Sequence, residues 1–193
     1  MEKRSTGAAR LIVLALLIFV LLGLAAVWVN RVVEKRSYAL PDMAQIKTRA
    51  QEYELDAFLV AAVIYAESSG NANAVSPKGA VGLMQIMPTT GQWVADKMDM
   101  QEYEESSLTD PSVNMRLGCW YLAYLFDKYD ANLTHALAAY NAGPGNVDKW
   151  LKDDTFSRDG ELIQIPFAQT ARYVEKVAMV REKYLEYYED ELS

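Results

Sequence analysis

The sequence has very little of the two residues that bind metal ions most often. Its 193 residues include one cysteine, Cys119, and one histidine, His135. A single cysteine excludes an intramolecular disulfide framework and a cysteine-rich metal site, and a single histidine excludes a multi-histidine metal centre. Cys119 lies among apolar residues, where a free thiol is most often a small buried group. We therefore expect a protein with no bound metal and no cofactor.

Positive charge is also scarce beyond the first 36 residues. Residues 1–36 carry six basic and two acidic side chains, which leaves 13 basic and 24 acidic residues in the rest of the chain, a net charge of −11. A surface this acidic repels phosphate groups, so we expect no nucleic acid among the partners. The hydrophobic content of 51% excludes a disordered or fibrous chain. The length predicts one compact domain with an appendage.

The appendage is an uncharged run of 19 residues, Leu11 to Val29, with basic residues on both sides. At about 1.5 Å per residue, a helix of this length nearly matches the roughly 30 Å hydrocarbon core of a bilayer. We interpret the run as an uncleaved transmembrane anchor. A cleaved signal peptide is the alternative, because Gly23, Ala25 and Ala26 offer small residues for cleavage.

This interpretation divides the chain into a cytoplasmic tail (1–10), a single transmembrane helix (11–29), a stalk (30–42) and a body (43–193). The two flanks of the run have the same net charge of +2, so the positive-inside rule does not decide the orientation. Both interpretations of the run place the body on the extracytoplasmic side, either anchored in the cell membrane or secreted after cleavage.

The body contains no run of strand alternation, and its patterns predict an all-α domain. The predicted helices span residues 43–54, 57–69, 88–98, 111–129, 133–141, 147–151 and 167–187. Asp56 is a good N-cap for the second of them, which is apolar on every side. A helix of that kind belongs in the centre of a domain.

Glu67 is a carboxylate at the end of this apolar helix, directly before a glycine-rich loop. Burial raises the pKa of a carboxyl group and so allows it to donate a proton near neutral pH. The alternative is that Glu67 faces solvent at the helix end. Further along, Gln85 lies among apolar residues, and Tyr140 and Asn141 precede a Gly-Pro turn. A protonated carboxyl group, amides and an aromatic ring together are typical of a carbohydrate site.

Four stretches of the body, in order, resemble the motifs of the soluble-lytic-transglycosylase (SLT) type lytic transglycosylases of family 1. They are Glu67-Ser68, residues 74–85 with AVS and GAVGLMQ, the AYNAG sequence of residues 139–143, and residues 165–173 with IPF, Thr170 and Tyr173. The resemblance covers residues 66–174. It implies a lysozyme-like (goose-type/SLT) helical domain that acts in cell-wall remodelling, with peptidoglycan glycan strands as the partner.

The implied reaction is non-hydrolytic cleavage of the β1,4 bond between N-acetylmuramic acid and N-acetylglucosamine, which leaves 1,6-anhydro ends. Glu67 is the implied catalytic residue, and the implied substrate-binding residues are Ser76, Met84, Gln85, Tyr140, Asn141 and Tyr173. Relatives often carry a glutamate before the threonine of the last motif, where this chain has Gln169. The alternatives are a hydrolytic muramidase on the same fold and a non-catalytic, membrane-tethered peptidoglycan-binding module.

Overall fold

The first helix of the computed structural model, α1 (Lys3–Ser37), contains the whole apolar run and continues past it. The structure describes residues 3–193, and side chains from Arg10 onward. Met1 and Glu2, the start of the predicted cytoplasmic tail, lie outside the described residues. By length and composition, the segment Arg10–Ser37 could cross a membrane, because its 28 helical residues extend about 42 Å. Most of the predicted stalk is therefore helical.

The described chain separates into two units, the first ending at Ala39 and the second formed by Leu40–Ser193. The second unit consists mainly of helices, which confirms the all-α prediction. These are α2 (Met43–Glu52), α3 (Ala57–Ser68), α4 (Pro88–Lys97), a 3₁₀ helix (Glu105–Thr109), α5 (Pro111–Lys128), α6 (Leu133–Ala142), α7 (Pro144–Trp150), α8 (Ala168–Tyr187) and α9 (Glu189–Leu192). Strands β1 (Ser157–Arg158) and β2 (Glu161–Leu162) form a short antiparallel hairpin, with Ser157 opposite Leu162.

Side-chain caps explain where several of these helices begin. The Asp42, Asp56, Asp110 and Asn132 side chains accept hydrogen bonds from backbone N–H groups in the first turns of α2, α3, α5 and α6. Each cap satisfies a donor that has no partner within its own helix. The predicted starts of these four helices are confirmed.

The start of α7 differs from its prediction. The Gly-Pro-Gly sequence after α6 predicted a stop, with a new helix only from Val147. In the structure Gly143 ends α6 and is also the N-cap of α7, with a φ of 86° that favours glycine. Pro144 then occupies the first helical position, where its missing N–H group leaves no helical hydrogen bond unmade. The short helix α9 was not predicted.

Helix α3 is the centre of the second unit. Its residues 59–64 are all buried, and it packs against α8 and α2. Each such side chain contributes about 1.5–3 kcal/mol of hydrophobic stabilisation when its full surface is removed from water, somewhat less for alanine. Helix α5 packs against α6, α2 and α4, and Cys119 is fully buried within it. This packing brings the carboxyl end of α3 close to the end of α6 and the start of α8.

Candidate active site

A cleft of about 370 Å³ lies at the carboxyl end of α3. Glu67 of α3, Tyr140 and Asn141 of α6 and Gln169 of α8 line it. The loop between α3 and α4 supplies the other lining residues, namely Ser76, Pro77, Lys78, Ala80, Gln85 and Met87. An adjoining cavity of about 340 Å³ shares five of these residues and extends past Thr90 and Tyr121. The two cavities form one groove, with room for an extended ligand.

The Glu67 carboxyl group at this groove has an unusual proton affinity. Burial raises the pKa of Glu67 to about 7, while the Tyr173 hydroxyl and the charge of Lys176 act in the opposite direction. The Lys176 ammonium donates a hydrogen bond of 2.9 Å to the carbonyl oxygen of Ala66 at the end of α3. Tyr173 is itself buried beside the carboxyl group, with 8% of its surface exposed. A carboxyl group with this pKa can both donate and accept a proton near neutral pH.

One buried amide, that of Asn114 in α5, supports the loop between α3 and α4, which carries the second motif. Its Oδ1 accepts a hydrogen bond of 2.8 Å from the Met84 N–H group. Its Nδ2 donates to the carbonyl oxygens of Val81 and Leu108, at 2.9 and 2.8 Å. Gly82 lies directly against this amide with a φ of 84°, and a Cβ atom there would overlap the Asn114 side chain. The glycine is therefore required both by the backbone conformation and by the close approach.

Gln85 and Ser76 use part of their hydrogen-bonding capacity to hold the same loop. Gln85 has a left-handed backbone conformation, with a φ of 50°. Its Nε2 donates to the carbonyl oxygens of Ala74 and Gly82, both at 3.0 Å. The Ser76 Oγ accepts a hydrogen bond of 2.9 Å from the Ala80 N–H group. These contacts leave the Gln85 Oε1 and the Ser76 hydroxyl proton for a ligand in the cleft.

Two residues at the end of α6 are oriented by contacts outside the cleft. The Tyr140 hydroxyl donates a hydrogen bond of 2.9 Å to the carbonyl oxygen of Met84. The Asn141 Oδ1 accepts one of 2.9 Å from the hydroxyl of Thr170, a buried residue of α8. The ring of Tyr140 is thereby fixed beside the cleft, and the amide nitrogen of Asn141 is not used by the contact to Thr170.

Met84 does not fit its predicted position in the groove. Its side chain is fully buried and packs against Gly118 of α5, where a Cβ atom would overlap it. Neither of the two cavities that form the groove is lined by it. Met87, with 37% of its surface exposed, lines both cavities instead. The remaining predicted residues, Glu67, Ser76, Gln85, Tyr140, Asn141 and Tyr173, lie in or directly behind the groove.

Besides Met87, three residues of this region were not predicted from the sequence, namely Lys78, Asn114 and Lys176. The only sequence signal for Lys78 was its position directly before Gly79 in the glycine-rich loop. No sequence pattern indicated Asn114 or Lys176, because each reaches the site from a distant helix. Among the described side chains, no cluster of three or more His, Cys, Asp or Glu residues is suited to hold a metal ion.

The family described as Transglycosylase SLT domain matches residues 44–163. The chain is 38% identical over 119 residues to the soluble lytic murein transglycosylase of Salmonella typhimurium, which corresponds to 60% of this chain and 18% of that protein. It is 32% identical over 162 residues to the membrane-bound lytic murein transglycosylase C of Actinobacillus pleuropneumoniae, or 72% of this chain and 44% of that protein.

Among solved structures, the 70 kDa soluble lytic transglycosylase of Escherichia coli superposes with a TM-score of 0.67 and 32% identity, over 74% of this chain and 24% of that chain. This likeness confirms the predicted lysozyme-like, SLT-type helical fold. The chain spans about a fifth of the length of the soluble relatives, with 18% and 20% of the Salmonella typhimurium and Escherichia coli proteins covered.

Proposed function

The chain belongs to the transglycosylase SLT family, and on that basis we propose that it is a lytic transglycosylase that cleaves peptidoglycan. The observation that carries the proposal is the carboxyl group of Glu67. Its pKa of about 7 and its position at an open groove are the properties that a proton donor to a glycosidic oxygen needs.

Glu67 is the only acidic residue among the described residues that line the groove. Most glycosidases use two carboxylates, so a single one favours the known exception in which the substrate assists its own cleavage. Glu67 protonates the glycosidic oxygen, and the bond from C1 of N-acetylmuramic acid breaks as N-acetylglucosamine leaves with that proton. The acetamide oxygen of the muramic acid bonds to C1 and forms an oxazolinium ion.

The second step returns the proton to Glu67. Its carboxylate removes the proton from the C6 hydroxyl of the same sugar, and O6 attacks C1 while the acetamide oxygen leaves. The product is a 1,6-anhydro sugar, and no water enters it. A group that acts first as acid and then as base works best with a pKa near the working pH. The pKa of Glu67, about 7, meets this condition.

The polar groups of the groove suit the acetamide and hydroxyl groups of such a substrate. The Asn141 amide nitrogen donates to the acetamide oxygen and holds it near C1, and the Gln85 Oε1 and the Ser76 hydroxyl bind neighbouring groups. Tyr140 packs against a sugar face, and Tyr173 positions the carboxyl group of Glu67 from behind. The assignments of Asn141, Gln85 and Ser76 use the atoms that their internal contacts leave available.

The proposal includes a location: the protein carries out this activity while anchored in the membrane by α1. Helix α1 is long and apolar enough to span a bilayer, and one relative is named a membrane-bound enzyme. Peptidoglycan lies outside the cytoplasmic membrane, so the body acts on the extracytoplasmic side. The arrangement is a single-pass anchor with a short cytoplasmic tail (1–10) and the catalytic body (43–193) outside.

The activity is tested by digestion of purified sacculi with the full chain in detergent, followed by mass spectrometry of the released muropeptides. We expect 1,6-anhydro ends. The nearly isosteric substitution Glu67→Gln removes the transferable proton and should lower turnover by about 10²–10⁴-fold. Glu175→Gln, at an exposed carboxylate of α8, is the matched control and should retain full activity.

Each competing function predicts a different result in this assay. Free reducing ends would show that the protein is a hydrolytic muramidase on the same fold. Binding to sacculi without any released product would show a non-catalytic module. If Glu67→Gln retained more than a tenth of the activity, another residue would have to be the acid.

A further inference from the structure

Lys176 of α8 carries a charge close to Glu67 that the proposed mechanism does not yet use. Its ammonium group donates a hydrogen bond of 2.9 Å to the carbonyl oxygen of Ala66, the residue directly before Glu67. The same group lies over the ring of Tyr65, 5.7 Å from the ring centroid. Two consecutive residues of α3 therefore hold this lysine at the last turn of the helix, although its side chain is otherwise exposed.

The position of Lys176 follows from the packing of α8 against α3. Tyr173, Val177, Val180 and Tyr184 recur every three or four residues and are buried, so they form the face that α8 turns toward the core. The Tyr184 ring lies edge-on to the Tyr65 ring of α3, with a centroid distance of 6.4 Å. Lys176 follows Tyr173 by three residues and therefore lies on the same side of α8, next to this face.

The contact with Ala66 supplies a donor that the end of α3 lacks. If the helix continued, the Gly70 N–H group would bond to the Ala66 carbonyl oxygen. Instead it donates a hydrogen bond of 3.2 Å to the Ser68 Oγ, and the Lys176 ammonium takes its place on the carbonyl. The lysine therefore completes the last turn of the helix that carries Glu67.

The carboxyl end of a helix is also an unfavourable place for a negative charge. The aligned peptide dipoles place about half an elementary negative charge there. The helix therefore opposes ionisation of the Glu67 carboxyl group, in the same direction as burial, which raises its pKa to about 7. A cation at this end offsets part of the effect. The sequence of α3, AFLVAAVIYAES, contains no basic residue, so the cation comes from α8.

The other titratable groups around Glu67 do not replace this cation. Tyr173 of α8 and Tyr140 of α6 are buried beside the carboxyl group, and burial raises the pKa of both hydroxyls well above their ordinary value, so both are neutral near pH 7. Lys78 of the loop lines the cleft with an exposed side chain. Among the described residues, Lys176 is the one cation whose charge lowers the pKa of Glu67.

We infer that Lys176 is a positioning residue, which holds the last turn of α3 and stabilises the negative charge that Glu67 acquires when it gives up its proton. The inference rests on the proposed function, in which this proton goes to the glycosidic oxygen and a proton returns from the C6 hydroxyl. Between the two steps Glu67 is a carboxylate at the end of a buried helix. A fixed cation nearby lowers the free energy of that state and the barrier that leads to it.

The first test measures kcat/KM of the full chain in detergent, from about pH 5 to about pH 9, on soluble glycan strands prepared from sacculi. The first step needs protonated Glu67, so kcat/KM falls as the pH rises through its pKa of about 7. Lys176→Met removes the charge and keeps an apolar side chain against Tyr65. We expect the fall to move up by about 0.2–0.7 pH units, and kcat/KM on the acidic side to drop about two- to fivefold.

Further variants separate the charge of Lys176 from its hydrogen bond. Lys176→Gln keeps a donor without a charge and should displace the pH profile as Lys176→Met does, whereas Lys176→Arg keeps both and should restore the parent profile. Lys183→Met is the matched control. It removes a lysine of the same helix that also lies over a tyrosine ring, 5.4 Å from the centroid of Tyr187, but that stands seven residues further along α8. It should leave the profile in place.

The second test needs no turnover. The Glu67 carboxyl carbon is titrated by ¹³C NMR in the parent and in Lys176→Met, and the spectrum of Glu67→Gln identifies its signal. We expect a higher pKa in Lys176→Met, in agreement with the displaced pH profile.

The inference is overturned if Lys176→Met leaves the titration of Glu67 unchanged, or if activity falls equally at every pH, which would indicate a purely structural role. Failure of the proposed function is recognised separately, because it would appear as the absence of anhydro ends in the sacculus digest of the parent chain. A chain that produces those ends, with a pH profile indifferent to Lys176, would retain its proposed function without this positioning residue.

Discussion

At the scale of single residues, Glu67 shows how a property proposed for catalysis affects stability. Its pKa is about 7 in the folded protein, against an ordinary value of 4.5. Between these two values the folded state binds more protons than the unfolded state, so the free energy of unfolding decreases as the pH rises. The contribution of the protonated carboxyl group is complete below pH 4.5 and is lost as the pH rises through 7. At 1.36 kcal/mol per pKa unit, the loss is at most about 3 kcal/mol.

Glu67→Gln should therefore remove a destabilising charge as well as activity. We expect the variant and the parent to unfold at similar temperatures at pH 4.5, because both side chains are then neutral. At pH 8 the variant should be more stable by up to about 3 kcal/mol, or roughly 6–12 °C in melting temperature. Thermal unfolding of the body, followed by circular dichroism across this pH range, measures the difference.

Glu175→Gln is again the control, since an exposed carboxylate should show no such divergence. Parallel melting curves for Glu67→Gln and the parent at both pH values would contradict the raised pKa of Glu67.

Sequence patterns predicted the position of Glu67 better than those of its loop neighbours. A helix that is apolar on every side must be buried, so a carboxylate on its last turn is drawn toward the interior as well. Met84 and Gln85 lie in an irregular loop, where no periodicity determines the direction of a side chain. Met84 is therefore in the core, although its motif predicted a groove residue, and Gln85 uses its amide nitrogen within the loop.

At the scale of structural elements, the loop between α3 and α4 depends on a contact with α5. Asn114 bonds to three backbone groups, the N–H of Met84 and the carbonyl oxygens of Val81 and Leu108. These bonds replace the regular pairing that a strand or helix would have supplied. Caps such as Asp56 and Asp110 act within a few residues and could be predicted, whereas Asn114 acts across 30 positions and could not.

Asn114→Ala should lower the free energy of unfolding by about 3–5 kcal/mol, because it leaves three buried backbone groups without partners. Activity should fall even at temperatures where the variant is folded, since Gln85 and Ser76 lie on the loop that Asn114 supports. Urea unfolding and the sacculus assay measure the two effects.

Asn132→Ala gives the comparison, because it removes one cap at the start of α6 and one exposed hydrogen bond to Glu161, and it should cost about 1 kcal/mol. If the two asparagine variants were equally stable, the loop would not depend on Asn114.

At the scale of the whole molecule, the proposed anchor keeps the body on one side of the membrane, which we predict to be the outer side. Protease added to intact spheroplasts should digest the body, while a cytoplasmic marker protein stays protected. The charges on the two sides of the apolar run do not enforce this orientation, so the prediction depends on the location of the substrate. Complete protection of the body would show the opposite orientation. Soluble release with a new amino terminus near Val27 would instead show that the first helix is a cleaved signal.

The burial of Cys119 makes the protein convenient for fluorescent labelling. Maleimide dyes react with thiolates, and burial raises the pKa of this thiol to about 12, so the folded chain should remain unlabelled. Because the sequence has no other cysteine, no native residue has to be replaced to suppress background labelling. A cysteine introduced at exposed Lys78, on the rim of the groove, would carry a single dye whose emission reports the arrival of a glycan strand.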